Sequence, residues 1–520
     1  MKVIKTDCLV IGSGLAGSIY AITAAKYGLK SIIISCQDKL EDTNTWLAQG
    51  GVIYEYPPET EQITNDVYNA GAKLSSKDVV KKITKVGYKY LKQILLDELK
   101  VPFDRDKKGK LLVTKEGAHS KARVIYAKDN TGEVILDTVH KKLKNLKNVT
   151  HMTNAMAIDL LTLSHSSTDE LDRYKPSTCF GAYVLDVKKG EIFAITAKKT
   201  ILATGGAGQI YTHTTNAPSA FGHGVAMAYR IGARVMNMEF IQFHPTVFYD
   251  KGNEGFVITE AVRGEGGVLV DSNGKSFMEK YHELKSLAPR DVISRAIHSE
   301  MLKSGNTNVF IDLSAMKPDY IKKRFPHIYK RCLKHKVDIT KDPIPVVPAV
   351  HYMCGGVFAS PEGRTSINDL NAIGETACTG YHGANRLAST SLLECIAMGA
   401  MCAQEDSTEI KTHKFYLPKP KEWLSPKIAP DVDLIAQDLQ IIRNTMTNYV
   451  GVVRSRKRLE RAEKLLRELK NQIDDFYREC TITREIINLR NAIQTSLLVV
   501  YAALRNTVSC GCHYIDDEQK

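Results

Sequence analysis

The N-terminal segment constrains the fold most. Asp7-Cys8-Leu9-Val10-Ile11 is a short apolar run that reads as a buried strand. Gly12-Ser13-Gly14-Leu15-Ala16-Gly17 follows without a gap, and the small residues from Ser18 to Tyr27 read as a helix closed by Gly28. Ser31-Ile32-Ile33-Ile34-Ser35 supplies a second buried strand. A G-x-G-x-x-G turn between strand and helix is the opening of a dinucleotide-binding unit. Gly12 allows the tight turn, Gly14 lets the backbone approach a pyrophosphate, and Gly17 lets the helix pack on the strand. The helix start then offers unpaired N–H groups and the positive end of its dipole to phosphates. A nicotinamide-dinucleotide unit places an acidic residue after the second strand to hold the ribose. Here that place reads Ser35-Cys36-Gln37, which disfavours NAD and leaves FAD.

Two later segments repeat the theme. Thr200-Ile201-Leu202-Ala203-Thr204-Gly205-Gly206 is a strand running into a Gly pair, and Asn371-Ala372-Ile373-Gly374-Glu375 is another strand-to-turn segment. With the N-terminal unit they imply one cofactor domain assembled from distant parts of the chain. The stretch 236–353 between them reads as an insertion, with Asn308–Leu313 as a strand inside it. Residues 407–430, with Pro418-Lys419-Pro420-Lys421, read as a linker. Beyond it Leu434–Leu504 reads as helical throughout, with Leu459, Ala462, Leu465, Leu466 and Leu469 on an apolar stripe. Arg454, Arg456, Lys457, Arg458 and Arg461 read as a solvated face.

Composition excludes several classes. The 520 residues are 43% hydrophobic and 25% charged, ordinary for a globular chain of two to four domains. No apolar run is long enough to span a membrane, and the N-terminus does not read as a signal peptide. Lys and Arg total 71 against 58 Asp and Glu, a net charge of +13. The cations are scattered without an aromatic-interleaved stripe, so no nucleic-acid partner is expected. Eleven dispersed Cys in a chain without a secretory signal imply reduced thiols and a cytoplasmic setting.

Several polar clusters mix His, Arg, Glu and Gly. They are Gln242-Phe243-His244-Pro245, Thr259–Gly267, Leu287–Asp291, His351–Gly356 and His382–Ser389. Arg forks, His donors and hydroxyls suit a small dianion. The neighbours of His244 and His351 are anion donors rather than further metal ligands, so no metal is expected.

These segments resemble the succinate dehydrogenase/fumarate reductase flavoprotein family. The resemblance covers nearly the whole chain. It includes Asn44-Thr45-Trp46-Leu47-Ala48-Gln49-Gly50-Gly51, Thr114–Ser120, Asp129–Gly132, Tyr449–Arg454 and the tail Ser509–Tyr514. The implied fold is an α/β, Rossmann-like FAD-binding domain (1–235 and 354–406), an inserted α+β capping domain (236–353), the linker (407–430) and a C-terminal helical bundle (431–520). Within the family the Glu116-Gly117-Ala118-His119-Ser120 loop resembles the branch that oxidises L-aspartate to iminosuccinate, the first step of de novo NAD synthesis. Oxygen or fumarate would accept the electrons, succinate would occupy the same site, and the product would pass to quinolinate synthase.

The resemblance also implies roles. Arg386, His351 and His244 would hold the carboxylates, with Gln242, Thr259, Glu260 and Ser389 completing the grip. Arg290 would exchange the proton, and Glu116 would face the substrate ammonium. FAD would contact Gly12 to Gly17, Cys36, Asn44, Thr45, Ala48 to Gly51, His223, Glu375, Ser391 and Leu392. Membrane-bound members carry a flavin-linked His where this chain has Asn44, so the FAD would be non-covalent. Two departures stand out: His223 replaces the common Asp of Gly-Asp-Gly, where it would be bulkier and open to a positive charge, and Cys510 replaces an Arg. Two other readings share the fold: the flavoprotein subunit of a membrane-bound succinate dehydrogenase or fumarate reductase, and a non-catalytic FAD-binding redox protein.

Overall fold

The computed structural model describes residues 1–39, 42–57, 59–250 and 255–516. The N-terminal unit folds as its pattern dictates: β1 (Val3–Ile11), α1 (Leu15–Lys26) and β2 (Ser31–Ser35). Every residue of α1 from Leu15 to Ala24 is buried, because the helix is covered on all sides. Gly12 has φ 117°, and a Cβ there would lie 2.2 Å from the Ala203 carbonyl oxygen, so only glycine fits this turn.

The chain then adds α2 (Thr131–Lys144), β3 (Val149–Thr153), β4 (Ala155–Thr162), β5 (Cys179–Asp186) and β6 (Glu191–Leu202). These strands form one sheet in the order β3-β2-β1-β6-β5-β4. β1, β2, β3 and β6 are parallel, as expected of buried apolar runs, while β4 and β5 return antiparallel. α3 spans His223–Arg230.

The insertion builds a second sheet from β7 (Ile241–Phe248), β8 (Val268–Val270), β9 (Val309–Asp312) and β10 (Ile344–Met353), with α4 (Arg290–Ser304) against it. Its order is β7-β10-β9-β8, antiparallel throughout. It has its own core, including Phe256, Ile297, Ile311 and Phe325. β11 (Leu370–Ala372) returns to the first sheet and pairs with the end of β6. The cofactor sheet is therefore assembled from both sides of the insertion.

α5 covers Ser391–Thr412, packs along α1, and joins it through Tyr20, whose hydroxyl donates to Asp406 at 2.7 Å. The helix runs past 407, so the Pro-rich connection starts later than composition indicates. Three helices follow rather than continuous helix: α6 (Val432–Tyr449), α7 (Arg456–Glu479) and α8 (Arg484–Arg505). Ser455 and Thr483 cap the second and third through side-chain oxygens, which is why the helical run breaks there. Leu459, Ala462, Leu466 and Leu469 face inward as the stripe predicts, whereas Leu465 is exposed.

One expectation fails outright. Arg454 is fully buried, not part of a solvated face. Its guanidinium donates to the Glu239 carbonyl at 2.8 Å, the Gly451 carbonyl at 3.1 Å and His513 Nδ1 at 2.8 Å. It ties the helical region to the chain tail, a contact invisible in local sequence.

Candidate active site

Two adjoining clefts, each of about 960 Å³, cross the molecule. Asn44, Thr45, Glu375 and Cys395 line both, so they form one continuous groove.

The first cleft runs over the Gly12–Ala16 loop, past Ser35-Cys36-Gln37 and Ala155–Ala157, to His223. Gly17 does not line it. Instead a Cβ on Gly17 would lie 2.2 Å from the Gly12 carbonyl, the helix-on-strand packing that the spacing implies. Near the junction the Asn44 amide donates to Glu375 Oε2 at 3.0 Å, and its oxygen accepts the Ala217 N–H at 2.8 Å. Burial pushes the Glu375 carboxyl up to about 7.

The second cleft holds the Ala48-Gln49-Gly50-Gly51 loop, the start of α5 at Ser391-Leu392, and the charged cluster. No side chain caps the first turn of α5, and its first-turn residues line the groove. Arg386 Nη1 donates to the Ser391 hydroxyl, and its guanidinium lies 4.6 Å from the Tyr352 ring centroid. Nη2 donates to His351 Nε2 at 3.2 Å. An arginine only donates, so His351 carries its proton on Nδ1, which bonds the Thr215 hydroxyl at 2.8 Å. Both ring nitrogens are thereby engaged. His351 lines the chamber, but here it positions Arg386 rather than presenting a free donor. It sits at a register shift between β10 and β7: Val350 pairs with Phe243 and Tyr352 with Gln242, leaving His351 unpaired.

His244 lies beside it, ring centroids 5.2 Å apart. Burial, then the nearby guanidiniums, push both imidazoles well below their ordinary range. They are neutral, so the clamp is not cationic throughout. Its positive charge sits on Arg386 and Arg290. Arg290, at the first position of α4, donates through Nε to Glu260 Oε2 at 2.9 Å. Burial would raise the Glu260 carboxyl, but Arg290 and Arg263 outweigh it and hold the group below its ordinary value. Thr259 lines the same wall.

Glu116 is also in the chamber. Ser389 Oγ donates to its Oε2 at 2.7 Å. Burial pushes the Glu116 carboxyl up, and the Glu260 charge adds to the rise. Ser389 has φ 58°, a left-handed conformation uncommon for serine. Its carbonyl accepts the Ile53 N–H at 3.0 Å and its hydroxyl accepts the Gly51 N–H at 3.2 Å, which hold it there.

Two assignments change. Gln242 does not line the chamber; its amide donates to Asn385 Oδ1 at 2.6 Å and the Arg386 carbonyl at 2.8 Å, so it supports the clamp from behind. His223 is not cationic, since burial pushes it down to about 4. Thr215, Asn216 and Tyr352 join the site without having been singled out as site residues; only the polar run Thr214-Thr215-Asn216 hinted at the first two. Cys510 is half-buried at the chain tail and lines neither cleft.

Comparison with known proteins fits this geometry. Residues 7–392 match the FAD binding domain family, and residues 440–520 match the fumarate reductase flavoprotein C-terminal family. L-aspartate oxidase 1 of Ralstonia nicotianae is 40% identical over 517 residues, covering 98% of this chain and 95% of the relative. The chain belongs to the L-aspartate oxidase family. The chloroplastic L-aspartate oxidase of Arabidopsis thaliana is 37% identical across 98% of this chain and 81% of its own. Among solved structures, an E. coli quinol fumarate reductase FrdA variant aligns at TM-score 0.87 and 25% identity, covering 100% of this chain and 92% of that one. A Mycobacterium smegmatis Sdh1 complex aligns at TM-score 0.84 and 27% identity, covering 99% and 89%. The fold expected from sequence, α/β with a capping sheet and terminal helices, is the fold found.

FAD is the cofactor of this L-aspartate oxidase family member, and the residues present fit it. The glycine turn leaves backbone open at the first cleft, α5 presents an uncapped start at the second, and Gln49 Oε1 and His223 Nε2 are buried without a partner among the described residues. Among the described residues no helix is long and apolar enough to cross a membrane.

Proposed function

We propose that this chain oxidises L-aspartate to iminosuccinate with oxygen or fumarate as the final acceptor, the first step of de novo NAD synthesis. One observation carries the reading: a half-buried carboxylate, Glu116, shares one cleft with the guanidiniums of Arg386 and Arg290. Guanidiniums pair with carboxylates, and a carboxylate facing them suits the one group by which aspartate differs from succinate, its ammonium.

FAD, when bound, supplies the two-electron acceptor for the hydride of the substrate α-carbon. The residues do the rest. Arg386, held by His351 and Ser391 and backed by Gln242, grips one carboxylate, and His244 and Thr259 line the wall beside it. Glu116, raised by burial, accepts the ammonium proton so that the free amine can become an imine. Arg290, protonated at rest, delivers a proton to carbon when fumarate is reduced, and Glu260, an ionised carboxylate 2.9 Å away, relays the replacement proton from water. The uncapped start of α5 favours negative charge in the chamber. Asn44 has no nucleophilic nitrogen, which supports a non-covalent cofactor.

Iminosuccinate hydrolyses readily, so its use calls for prompt transfer to quinolinate synthase. The eleven free thiols support a reducing, cytoplasmic setting. The test is anaerobic mixing of the FAD-loaded protein with L-aspartate. Flavin absorbance should bleach, with iminosuccinate formed; flavin that stays oxidised would overturn the reading and favour a non-catalytic redox protein.

A further inference from the structure

His223 lies outside the substrate chamber, and its surroundings fix where its proton sits. Arg230 Nη1 is 2.8 Å from Asn491 Oδ1. Since a guanidinium only donates, that amide atom must be the oxygen. The amide nitrogen therefore points to His223 and donates to Nδ1 at 2.8 Å. A neutral imidazole that accepts at Nδ1 carries its proton on Nε2. The arrangement is anchored one step further back, where Arg230 Nε and Arg490 Nη1 both bond Asp159 at 2.7 Å.

The Nε2–H so defined is buried and has no partner among the described residues. His223 is 8% exposed and lines the first cleft with the glycine loop. The Ser219 carbonyl lies near the ring and favours a proton there, but it falls outside hydrogen-bond geometry at Nε2. A buried N–H without an acceptor is costly, so this donor is built for something that enters the cleft.

Asn491 belongs to α8, and that helix meets the cleft elsewhere too. Arg484 donates to the Cys36 carbonyl at 2.9 Å, at the end of β2. Thr495 Oγ1 donates to the Gly222 carbonyl at 3.4 Å, directly before His223.

We infer that His223 donates its Nε2–H to an oxygen of the bound dinucleotide, and that α8, through Asn491, is the element that turns this donor toward the cofactor. The inference rests on FAD as the ligand of the first cleft and adds a role for the C-terminal helices in holding it. The acceptor is an oxygen of the pyrophosphate, the ribose or the ribityl chain. A neutral donor suits each, without placing a second positive charge beside Arg230.

The test is FAD titrated into apoprotein, with flavin fluorescence as readout. His223→Leu should weaken FAD at least about tenfold, and His223→Gln, whose amide can donate, should recover part of the loss. ADP and FMN as competitors locate the acceptor: a penalty seen with ADP places it on the ADP half, and one seen with FMN alone places it on the flavin half. Asn491 is a positioning residue. Asn491→Leu should weaken FAD and also mix the two imidazole tautomers in ¹⁵N spectra, which a merely structural role would not do. If His223→Leu fails to fold, the parent alone decides: FAD loading should protect the Nε2 proton from exchange. Parent-like FAD affinity in folded His223→Leu, or an Nε2 signal indifferent to FAD, would overturn the inference. Failure of the parent to take up FAD would instead overturn the cofactor assignment.

Discussion

Arg386 Nη2 donates to His351 Nε2 at 3.2 Å, and that single bond constrains two side chains at once. It removes His351 from the list of free donors and fixes the guanidinium plane of Arg386. The clamp is thus an arginine held on three sides, by His351, by Ser391 and by the Tyr352 ring.

Arg386→Leu removes the charged, two-pronged group proposed to hold a substrate carboxylate. Losing such a buried contact should cost about 2–5 kcal/mol of binding. Aspartate and fumarate turnover should both fall, and succinate should lose its inhibition. Inhibition by succinate at parent-like concentrations would contradict the role.

The second expectation concerns the cofactor bond. Asn44 spends its amide on Glu375 and the Ala217 N–H. Acid precipitation should therefore leave intact FAD in the supernatant. Flavin pelleting with the chain would contradict it.

A third expectation is a pH dependence in the apoprotein. The Glu375 carboxyl moves from an ordinary 4.5 to about 7 on folding. The folded state keeps a proton that the unfolded chain has lost, so this group's stabilisation is complete below about 4.5 and gone above about 7. Across that window the parent should lose roughly 3 kcal/mol relative to Glu375→Gln, with exposed groups cancelling in the comparison. Parallel melting-temperature profiles for the two proteins would contradict the shift.

Local order made the cofactor unit legible. β1, the glycine turn, α1 and β2 follow one another directly, and each step is set by neighbours in the chain. The clamp was legible as residue types but not as bonds. Gln242 stands one residue from Phe243 in a site-like motif, yet the β7–β10 pairing turns it behind Arg386. Arg454 lies among exposed cations in sequence and is buried only because the tail around His513 folds back over it. Thr215 joins the site through β10, a partner 136 positions away. Nothing near Asn491 marked it as facing His223, because that contact spans 268 positions.

Amine specificity is the central claim, and Glu116→Gln tests it most directly. The substitution keeps shape and one acceptor but removes the charge proposed to face the substrate ammonium. Losing a charge-assisted hydrogen bond costs about 1.5–3 kcal/mol, so aspartate efficiency should fall at least about tenfold. Fumarate has no ammonium, and its reduction by an artificial donor should survive nearly intact. The measurement is the ratio of the two activities in the variant against the parent: a ratio lowered about tenfold or more is the expected result, and an equal loss of both activities would contradict Glu116 as the ammonium partner.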